Sequence, residues 1–263
     1  MEEYLKHNKD SWNKRTRFHV ASDFYDNESF IQGRNSLNAI ELEYLKDIQG
    51  KSVLHLQSHF GQDSISLSRM GATVTAVDLS DAAIKEGRRL AESCGEAVRF
   101  IETDVYSLPN ALDEQFDCVF TSYGTIGWLP DLTHWAQVVN RFLKPGGRFI
   151  FAEFHPVVWM FDDDFTKVGY GYFKSDPIVG ENEVTYGDRS ATFEHKTVSW
   201  NHSLDEVMGA LLAERLQISA FREYDYSPYD CFRHTEEFEP GKFRIKHIRH
   251  PIPMVYLLEA KKP

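Results

Sequence analysis

Short apolar runs alternate with helical patterns from Ser52 to Phe151, and this alternation constrains the fold more than any other feature of the sequence. Five runs are predicted strands: Val53–Leu56, Thr73–Val77, Val98–Ile101, Phe116–Phe120 and Arg148–Phe151. Strands that alternate with helices pair in parallel through right-handed crossovers and form a layered α/β/α domain. Ligands of such a sheet bind in the crevice beyond the carboxyl ends of its strands.

The helices between these strands have recognisable boundaries. Ser80 is a natural N-cap after the second strand, and Asp81 is favourable in the first turn that follows. The clearest helix follows Pro130, and the segment Lys144–Gly147 is predicted to end it. An earlier helix is predicted from about Ser36.

The rest of the chain is predicted to complete a single domain over residues 1–263. We expect an N-terminal helical cap at 1–50, a ligand-binding half at 51–153, an aromatic-rich insertion or lid at 154–202, and a C-terminal helix with closing strands at 203–263. The insertion interrupts the strand–helix rhythm, and a hairpin is predicted near 183–200. The closing strands are predicted at Leu216–Arg222 and Met254–Glu259.

Composition restricts the classes of function. A formal net charge of −11 and a pI near 5.5 weigh against binding a nucleic-acid backbone. No apolar run is long enough to cross a bilayer, and the polar N-terminus does not resemble a signal peptide. The three cysteines, Cys94, Cys118 and Cys231, have neither metal-site nor redox-motif spacing. We therefore expect a cytoplasmic protein with no metal, nucleic-acid or membrane partner.

Polar residues stand at the ends of the first three predicted strands. The turn His55–Gly61 occupies the place of a glycine-rich nucleotide loop but contains only one glycine, so the side chains of Gln57 and His59 are predicted to line the ligand space. Asp78 ends the second strand, where a carboxylate can accept hydrogen bonds from ribose hydroxyls. An ordinary strand–helix turn and a helix-capping aspartate are the alternatives.

The third and fourth strand ends extend this pattern. Asp104 can accept from an adenine amino group while Val105 packs on the ring, although a solvated loop aspartate is the alternative. The segments Thr121–Thr125 and Gly127–Asp131 combine small polar residues with aromatics. They suit a floor between cofactor and substrate, or simply a buried turn.

Taken together, residues 52–153 resemble the class I S-adenosylmethionine-dependent methyltransferases. The resemblance rests on Val53–Gly61, Val74–Ser80, Thr103–Val105, Phe116–Phe120 and Leu143–Phe149, and its most specific element is the Leu-Lys-Pro-Gly-Gly turn before a strand. The segment Pro253–Ala260 resembles the family's final strand, which inserts antiparallel. The family usually has an acidic residue at position 55 and glycines at 57 and 59. A bacterial subgroup of uncharacterised members has a similar first motif, with His-Leu-Gln followed by His-Phe-Gly.

The resemblance implies a Rossmann-like, mostly parallel sheet and S-adenosylmethionine as cofactor. The methionine portion would lie at Gly61 and its neighbours, the ribose at Asp78 and the adenine at Asp104. The full predicted cofactor set is Gln57, Ser58, His59, Gly61, Asp78, Leu79, Asp104, Val105, Ser122 and Tyr123.

On the acceptor side, a general base is needed only if the acceptor loses a proton as it attacks. His155 follows the fifth strand and is the predicted base, with a backbone-bonded structural histidine as the alternative. The predicted substrate contacts are Trp12, Tyr25, Trp128, His155, Trp159 and Trp200. The aromatics of the insertion would form a lid over a small, flat or cationic acceptor, or else the insertion's own core. The acidic triplet Asp162–Asp164 is predicted to be a solvated loop and not a metal site.

The sequence therefore predicts methyl transfer from S-adenosylmethionine to a small-molecule acceptor. Two alternatives remain open at this stage. A nicotinamide-dependent oxidoreductase shares the acidic residue after the second strand but needs the missing glycines more strictly. A non-catalytic S-adenosylmethionine-binding module would be consistent with the unusual first motif.

Overall fold

The computed structural model describes residues 3–181, 185–188 and 194–263. Three helices precede the first strand: α1 (Glu3–Ala21), α2 (Asn27–Ile31) and α3 (Ala39–Leu45). The alternating region follows as β1 (Ser52–Leu56), α4 (Gln62–Arg69), β2 (Thr73–Asp78), α5 (Asp81–Cys94), β3 (Val98–Glu102), α6 (Leu108–Ala111), β4 (Phe116–Ser122), α7 (Leu132–Phe142) and β5 (Leu143–Phe154).

The remaining elements belong to the second half of the chain. They are β6 (Ile178–Glu181), β7 (Lys196–Ser199), α8 (Leu204–Ala213), β8 (Gln217–Tyr224), β9 (Thr235–Glu239), β10 (Lys242–Ile245) and β11 (Val255–Lys261). Single 3-10 turns lie at Ile126–Trp128 and Val158–Met160.

A seven-stranded sheet forms the centre of the fold, with strand order β3-β2-β1-β4-β5-β11-β8. Strands β1 to β5 pair in parallel, whereas β11 inserts antiparallel between β5 and β8. The predicted α/β/α, mostly parallel sheet with an antiparallel last strand is confirmed. Because β1 to β4 run in the same direction, the polar residues that follow them meet at one edge of the sheet.

Helix α5 shows how local sequence fixes this edge. Its N-cap is Ser80, whose Oγ accepts from the backbone N–H of Ala83 at 3.0 Å. Gly87 lets the helix approach the sheet closely, since a Cβ at that position would lie 2.6 Å from the Phe100 ring. The same ring would lie 2.6 Å from a Cβ at Gly61, so both glycines are required by one aromatic side chain.

Three predicted boundaries are corrected by the structure. Helix α3 begins at Ala39 and not at Ser36, because its capping residue is Asn38. Strand β5 begins at Leu143, which pairs with Phe116, so the glycine turn belongs to an irregular start of the strand. The insertion's hairpin is formed by β6 and β7 and begins at Ile178 instead of 183. Residues 183–184 and 189–193 of the predicted hairpin lie outside the described residues.

Helix α1 crosses the ligand edge of the sheet. The Asn8 side chain accepts from the Val198 N–H and donates to the Val198 carbonyl, both at 2.8 Å, and so joins α1 to β7. Lys9 pairs with Glu102 at 2.6 Å, which ties the same helix to the end of β3. In the described ranges, no helix combines the length and the apolar character needed to span a membrane.

Candidate active site

A cavity of about 980 Å³ lies at the carboxyl ends of the parallel strands. All ten residues of the predicted cofactor set line it. Five of the six predicted substrate residues line it as well: Trp12, Tyr25, Trp128, Trp159 and Trp200. The cavity therefore joins the expected cofactor space to the expected acceptor space without a break.

The turn after β1 keeps a glycine-like backbone although it has lost glycines. Gln57 has a φ of 53° and His59 a φ of 51°, and Gly61 completes the turn at 78°. Positive φ values are unfavourable for side chains with a Cβ and are costly unless the surroundings compensate. The unusual motif therefore preserves the conformation of a glycine-rich turn.

Three consecutive residues of this turn carry buried polar atoms with no hydrogen-bond partner in the described part of the chain. They are Gln57 Oε1, Ser58 Oγ and His59 Nδ1. The opposite ends of two of these side chains are fixed: Gln57 Nε2 donates to the Thr125 carbonyl at 2.8 Å, and His59 Nε2 lies 2.9 Å from His19 Nδ1. Buried polar groups are normally satisfied, so the three atoms indicate a polar ligand.

The His19–His59 pair was not predicted from the sequence. His19 comes from α1, is fully buried and also contacts Thr185 Oγ1. Burial lowers the pKa of His59 to about 3, with a smaller contribution from the Arg15 charge, and burial likewise places the pKa of His19 well below its usual range. Both imidazoles are consequently neutral and add no positive charge to the cavity wall.

Asp78 connects the ends of β1 and β2. Its Oδ2 accepts from the backbone N–H of His59 and its Oδ1 from the N–H of Ser80, each at 2.8 Å. Burial raises the pKa of Asp78 to about 6, although these hydrogen bonds oppose the shift. The carboxylate retains free lone pairs, so it can also accept from a ligand in the cavity.

Asp104 occupies the equivalent position after β3. Its Oδ1 accepts from the Ser107 N–H at 3.0 Å, and the side chain is half-buried at the cavity wall. The Thr103 N–H donates to the Asp78 carbonyl at 3.0 Å, so the loops that carry the two aspartates are directly connected. Val105 beside them is buried.

Glu153 at the end of β5 organises the turn after β4, and sequence reasoning missed it. Its buried carboxylate accepts from the backbone N–H groups of Gly124, Thr125 and Ile126, and from the Thr125 hydroxyl at 2.8 Å. Burial raises the pKa of Glu153 against the effect of these hydrogen bonds. The available signal was an acidic residue at the end of an apolar strand.

Tyr123 begins that turn with a φ of 44°. Its hydroxyl donates to Glu41 Oε2 at 2.7 Å, so a residue of α3 reaches the end of β4. The Tyr123 ring also packs edge-on against Tyr229, with ring centroids 5.2 Å apart. Neither Glu41 nor Tyr229 was predicted, because both lie far from Tyr123 in the sequence.

Aromatic side chains form the walls on both sides of the cavity. Trp12 packs edge-on against Trp128 and His59, with centroid distances of 5.5 Å and 5.3 Å. On the other side, Phe154 contacts Trp159 at 5.7 Å and Phe232 at 5.0 Å. The insertion therefore contributes rings both to the cavity and to its own core.

His155 is not among the residues that line the cavity, so its predicted orientation toward the acceptor is corrected. The imidazole is 3% exposed, its Nε2 lies 2.9 Å from Glu223 Oε1, and its Nδ1 accepts from the Val157 N–H at 3.2 Å. Alternation along a strand explains the difference, because adjacent residues point to opposite faces of the sheet.

The acidic triplet takes part in local contacts. Asp162 accepts from the backbone and hydroxyl of Thr166, both at 2.7 Å, while Asp164 contacts His234 at 3.0 Å. In the ranges that the structure covers, no three His, Cys, Asp or Glu side chains are grouped as metal ligands.

Comparison with known proteins places a methyltransferase domain in the first half of the chain. Residues 53–147 match a family model described as a methyltransferase domain, and this range runs from the second residue of β1 through β2, β3 and β4 to the glycine turn that begins β5. The chain is similar over 254 residues, at 24% identity, to the uncharacterized methyltransferase YbaJ of Bacillus subtilis (strain 168), covering 89% of this chain and 96% of that protein.

The chain is also similar to other proteins, and the solved structures among them share its fold. It is 26% identical over 136 residues to the ubiquinone biosynthesis O-methyltransferase of Pseudomonas syringae pv. tomato, a match that spans 51% of this chain and 58% of that protein. Among solved structures, a putative S-adenosylmethionine-dependent methyltransferase from Listeria monocytogenes superimposes with a TM-score of 0.56 at 20% identity, covering 85% and 98% of the two chains. The structure of the glycopeptide N-methyltransferase MtfA, complexed with S-adenosylmethionine, superimposes with a TM-score of 0.53 at 18% identity. The match covers 84% of this chain and 85% of that chain.

The residues present fit S-adenosylmethionine. Asp78 and Asp104 offer carboxylate oxygens to an adenosine group, and the three unpartnered polar atoms of the β1 turn belong to residues that line the adjoining space. The comparisons match methyltransferases and lend no support to the nicotinamide-dependent alternative.

Proposed function

We propose that this chain is a class I S-adenosylmethionine-dependent methyltransferase, which transfers a methyl group from S-adenosylmethionine to a small molecule bound in the aromatic part of the cavity. The observation that carries the proposal is the single cavity that contains Asp78, Asp104 and Tyr123 together with Trp159. A smaller, closed cofactor pocket would have suited a binding module; this cavity provides for a second molecule.

The strand order supports one orientation of the cofactor. Because the strands follow one another as β3, β2, β1 and β4, an extended ligand meets Asp104, then Asp78, then the 57–61 turn, and finally Tyr123. In this arrangement Asp104 and Val105 hold the adenine, Asp78 accepts from the ribose hydroxyls, and the turn holds the methionine end. Leu79 and Ser122 complete the walls.

The chain's own residues would act by positioning and by excluding water. S-adenosylmethionine, when bound, supplies an electrophilic methyl group on a positively charged sulfur. Glu153 fixes the turn beneath the reacting atoms, and Trp12 and Trp128 cover the cavity. Positioning of two reactants contributes about 7–11 kcal/mol in well-aligned systems, which is the principal contribution that we assign to the protein.

The acceptor is placed among small molecules for two reasons. The net charge of −11 opposes attraction to a nucleic-acid backbone. The relatives include an O-methyltransferase of ubiquinone biosynthesis, whose name points to a small-molecule pathway.

A cytoplasmic location is also part of the proposal. The three cysteines form no disulfide, which supports a reducing compartment.

Calorimetry with S-adenosylhomocysteine and NAD tests the proposal. We expect saturable binding of S-adenosylhomocysteine, its loss in Asp78→Ala, and no comparable binding of NAD. Asp113→Ala is the control, because Asp113 is an exposed surface residue that pairs with Arg141 and does not line the cavity. Preferential binding of NAD, or equal affinity in Asp78→Ala and Asp113→Ala, would contradict the proposed site. S-adenosylhomocysteine binding without methyl transfer to any acceptor in a metabolite panel would favour the non-catalytic module.

A further inference from the structure

The hydroxyl of Tyr123 can offer a ligand only a hydrogen-bond acceptor. Its single proton is donated to Glu41 Oε2 at 2.7 Å. Tyr123 lines the cavity, whereas Glu41 is fully buried behind it and does not. Toward the cavity the phenolic oxygen can therefore act only as a hydrogen-bond acceptor.

A second tyrosine, Tyr229, packs beside Tyr123 and can offer a ligand a hydrogen-bond donor. Glu41 Oε1 accepts from the Asn38 backbone at 2.6 Å and from Asn38 Nδ2 at 3.0 Å, and the same Nδ2 donates to the Tyr229 hydroxyl at 2.7 Å. Because the Tyr229 oxygen already accepts this bond, its own proton is available to a ligand. Tyr229 also lines the cavity and its ring packs against Tyr123, so two neighbouring tyrosines of opposite hydrogen-bonding capacity, linked through Asn38 and Glu41, belong to the same wall.

Glu41 is suited to receive a proton near neutral pH. Burial is the main cause that raises its pKa to about 7, and the charge of Asp63 from α4 adds to this, while the bonds from Asn38 and Tyr123 oppose it. The other titratable groups around it are Tyr229, from the loop after β8, and Tyr226, whose own pKa Glu41 helps to raise. A base of this strength lies in the range that favours general base catalysis.

The position of Tyr123 makes it relevant to the reaction. It follows β4, the strand next to β1, and therefore lies beyond the methionine end of the cofactor in the proposed orientation. Its backbone is held by the bond from its N–H to the Ala152 carbonyl at 2.7 Å, and the following turn is held by Glu153. The ring therefore lies at the boundary between cofactor and acceptor.

We propose that Tyr123 is a catalytic residue that takes the proton of an acceptor hydroxyl and passes its own proton to Glu41, and that the acceptor is a small planar phenol. The inference rests on the proposed function. As the phenol oxygen bonds to the methyl carbon, the carbon–sulfur bond breaks and its electron pair remains on the sulfur, which becomes a neutral thioether. The phenol proton moves to Tyr123 Oη and the tyrosine proton to Glu41 Oε2, so the positive charge of the sulfonium is balanced by neutralisation of the carboxylate. A planar phenol fits because rings form the walls of this part of the cavity.

Catechol is the probe for this relay, because its two adjacent hydroxyls match the acceptor at Tyr123 and the donor at Tyr229. Methyl transfer from S-adenosylmethionine to catechol is measured for the wild type, Tyr123→Phe, Glu41→Gln and the double variant. We expect kcat to fall roughly 100-fold in each single variant, and no further in the double variant, because both remove the same proton transfer. Tyr44→Phe and Glu43→Gln, on the same helix as Glu41, are the matched controls and should retain the wild-type rate.

Two further readouts separate a proton relay from a structural tie between α3 and β4. The wild-type rate should rise through about pH 7 and the Glu41→Gln rate should not. In addition, 4-nitrocatechol, which is already ionised near neutral pH, should restore most of the rate in both single variants. Glutamine keeps the capping role at this helix position, and if Glu41→Gln does not fold, Tyr123→Phe carries the same comparison.

The outcomes distinguish this inference from the proposed function. If S-adenosylhomocysteine does not bind the wild type, the proposed function fails. If it binds with unchanged affinity in all variants but catechol is not methylated by the wild type, the relay and its phenol acceptor are overturned. Near-wild-type kcat in Tyr123→Phe, or an equal loss with 4-nitrocatechol, also overturns the relay.

Discussion

The backbone N–H of His59 donates to Asp78 Oδ2 at 2.8 Å, and this bond joins the β1 turn to the end of β2. It makes the ribose position depend on the conformation of a turn that has two side chains where the family usually has glycines. The backbone of His59 has a φ of 51°, and its imidazole is hydrogen-bonded to His19 of α1. The N-terminal helix thereby compensates for the missing glycines.

The raised pKa of Asp78 predicts how cofactor binding depends on pH. With a pKa of about 6 in the free protein, the carboxyl is ionised at higher pH and gains a proton as the pH falls below that value. Protonation removes the negative charge and weakens the carboxyl as an acceptor for the ribose hydroxyls. S-adenosylhomocysteine affinity should therefore fall by roughly tenfold per pH unit below about pH 6. Calorimetry at a series of pH values checks this, and in Asp78→Asn the affinity should be weak and nearly independent of pH. Equal wild-type affinity at about pH 5 and pH 8 would contradict the assignment.

The positive φ of Gln57 predicts an unusual order of stability. Alanine and glycine both remove the bond from Gln57 Nε2 to Thr125, but only glycine relieves the left-handed backbone. Gln57→Gly should therefore be more stable than Gln57→Ala by about 1 kcal/mol, as measured by urea unfolding. The matched control is exposed Lys85 in helix α5, where the order should be reversed. Lys85→Ala should be more stable than Lys85→Gly by about 1 kcal/mol. Equal free energies of unfolding for Gln57→Ala and Gln57→Gly would show that the backbone at position 57 is not strained.

Glu153 predicts a large loss of stability from a conservative change. In Glu153→Gln, one carboxylate oxygen that accepts from backbone N–H groups is replaced by an amide NH2 that cannot accept. The free energy of unfolding should fall by about 2–4 kcal/mol, since buried backbone donors lose their partner. Glu223→Gln, at a half-exposed site, should change it by less than about 1 kcal/mol. Similar unfolding curves for both variants would show that Glu153 does not organise the β4 turn.

His155 lies outside the cavity, which predicts that its removal affects stability and not binding. His155→Ala should lose about 1–2 kcal/mol of unfolding free energy, because the buried imidazole and its contact with Glu223 are removed. The affinity for S-adenosylhomocysteine and the methylation rate should stay within about twofold of the wild type, as a residue remote from the reacting atoms is expected to behave. A large fall in kcat at unchanged stability would restore His155 as the base.

Much of the fold was predictable because the relevant signals are local. Alternating strand and helix patterns specified β1 to β5, and strand ends located Asp78 and Asp104, since parallel strands bring their carboxyl ends to one edge. Ser80 was recognised as an N-cap from its immediate neighbours alone.

The remaining parts of the site depend on contacts between distant segments. His19 and Glu41 belong to a polar N-terminal region in which nothing local indicates that they reach His59 and Tyr123. The direction of the His155 side chain depended on the strand alternation after β5, and the sequence alone did not show which face it takes. Backbone conformation was also hidden, because a histidine with positive φ has no sequence signature.

A crystal structure of the protein with S-adenosylhomocysteine tests the central claim most directly. We predict that Asp78 accepts from the ribose hydroxyls, that Asp104 lies beside the adenine amino group, and that the sulfur points toward Tyr123. Adenosine bound elsewhere, or a cavity in which both carboxylates face solvent and His59 occupies the ribose position, would contradict the account.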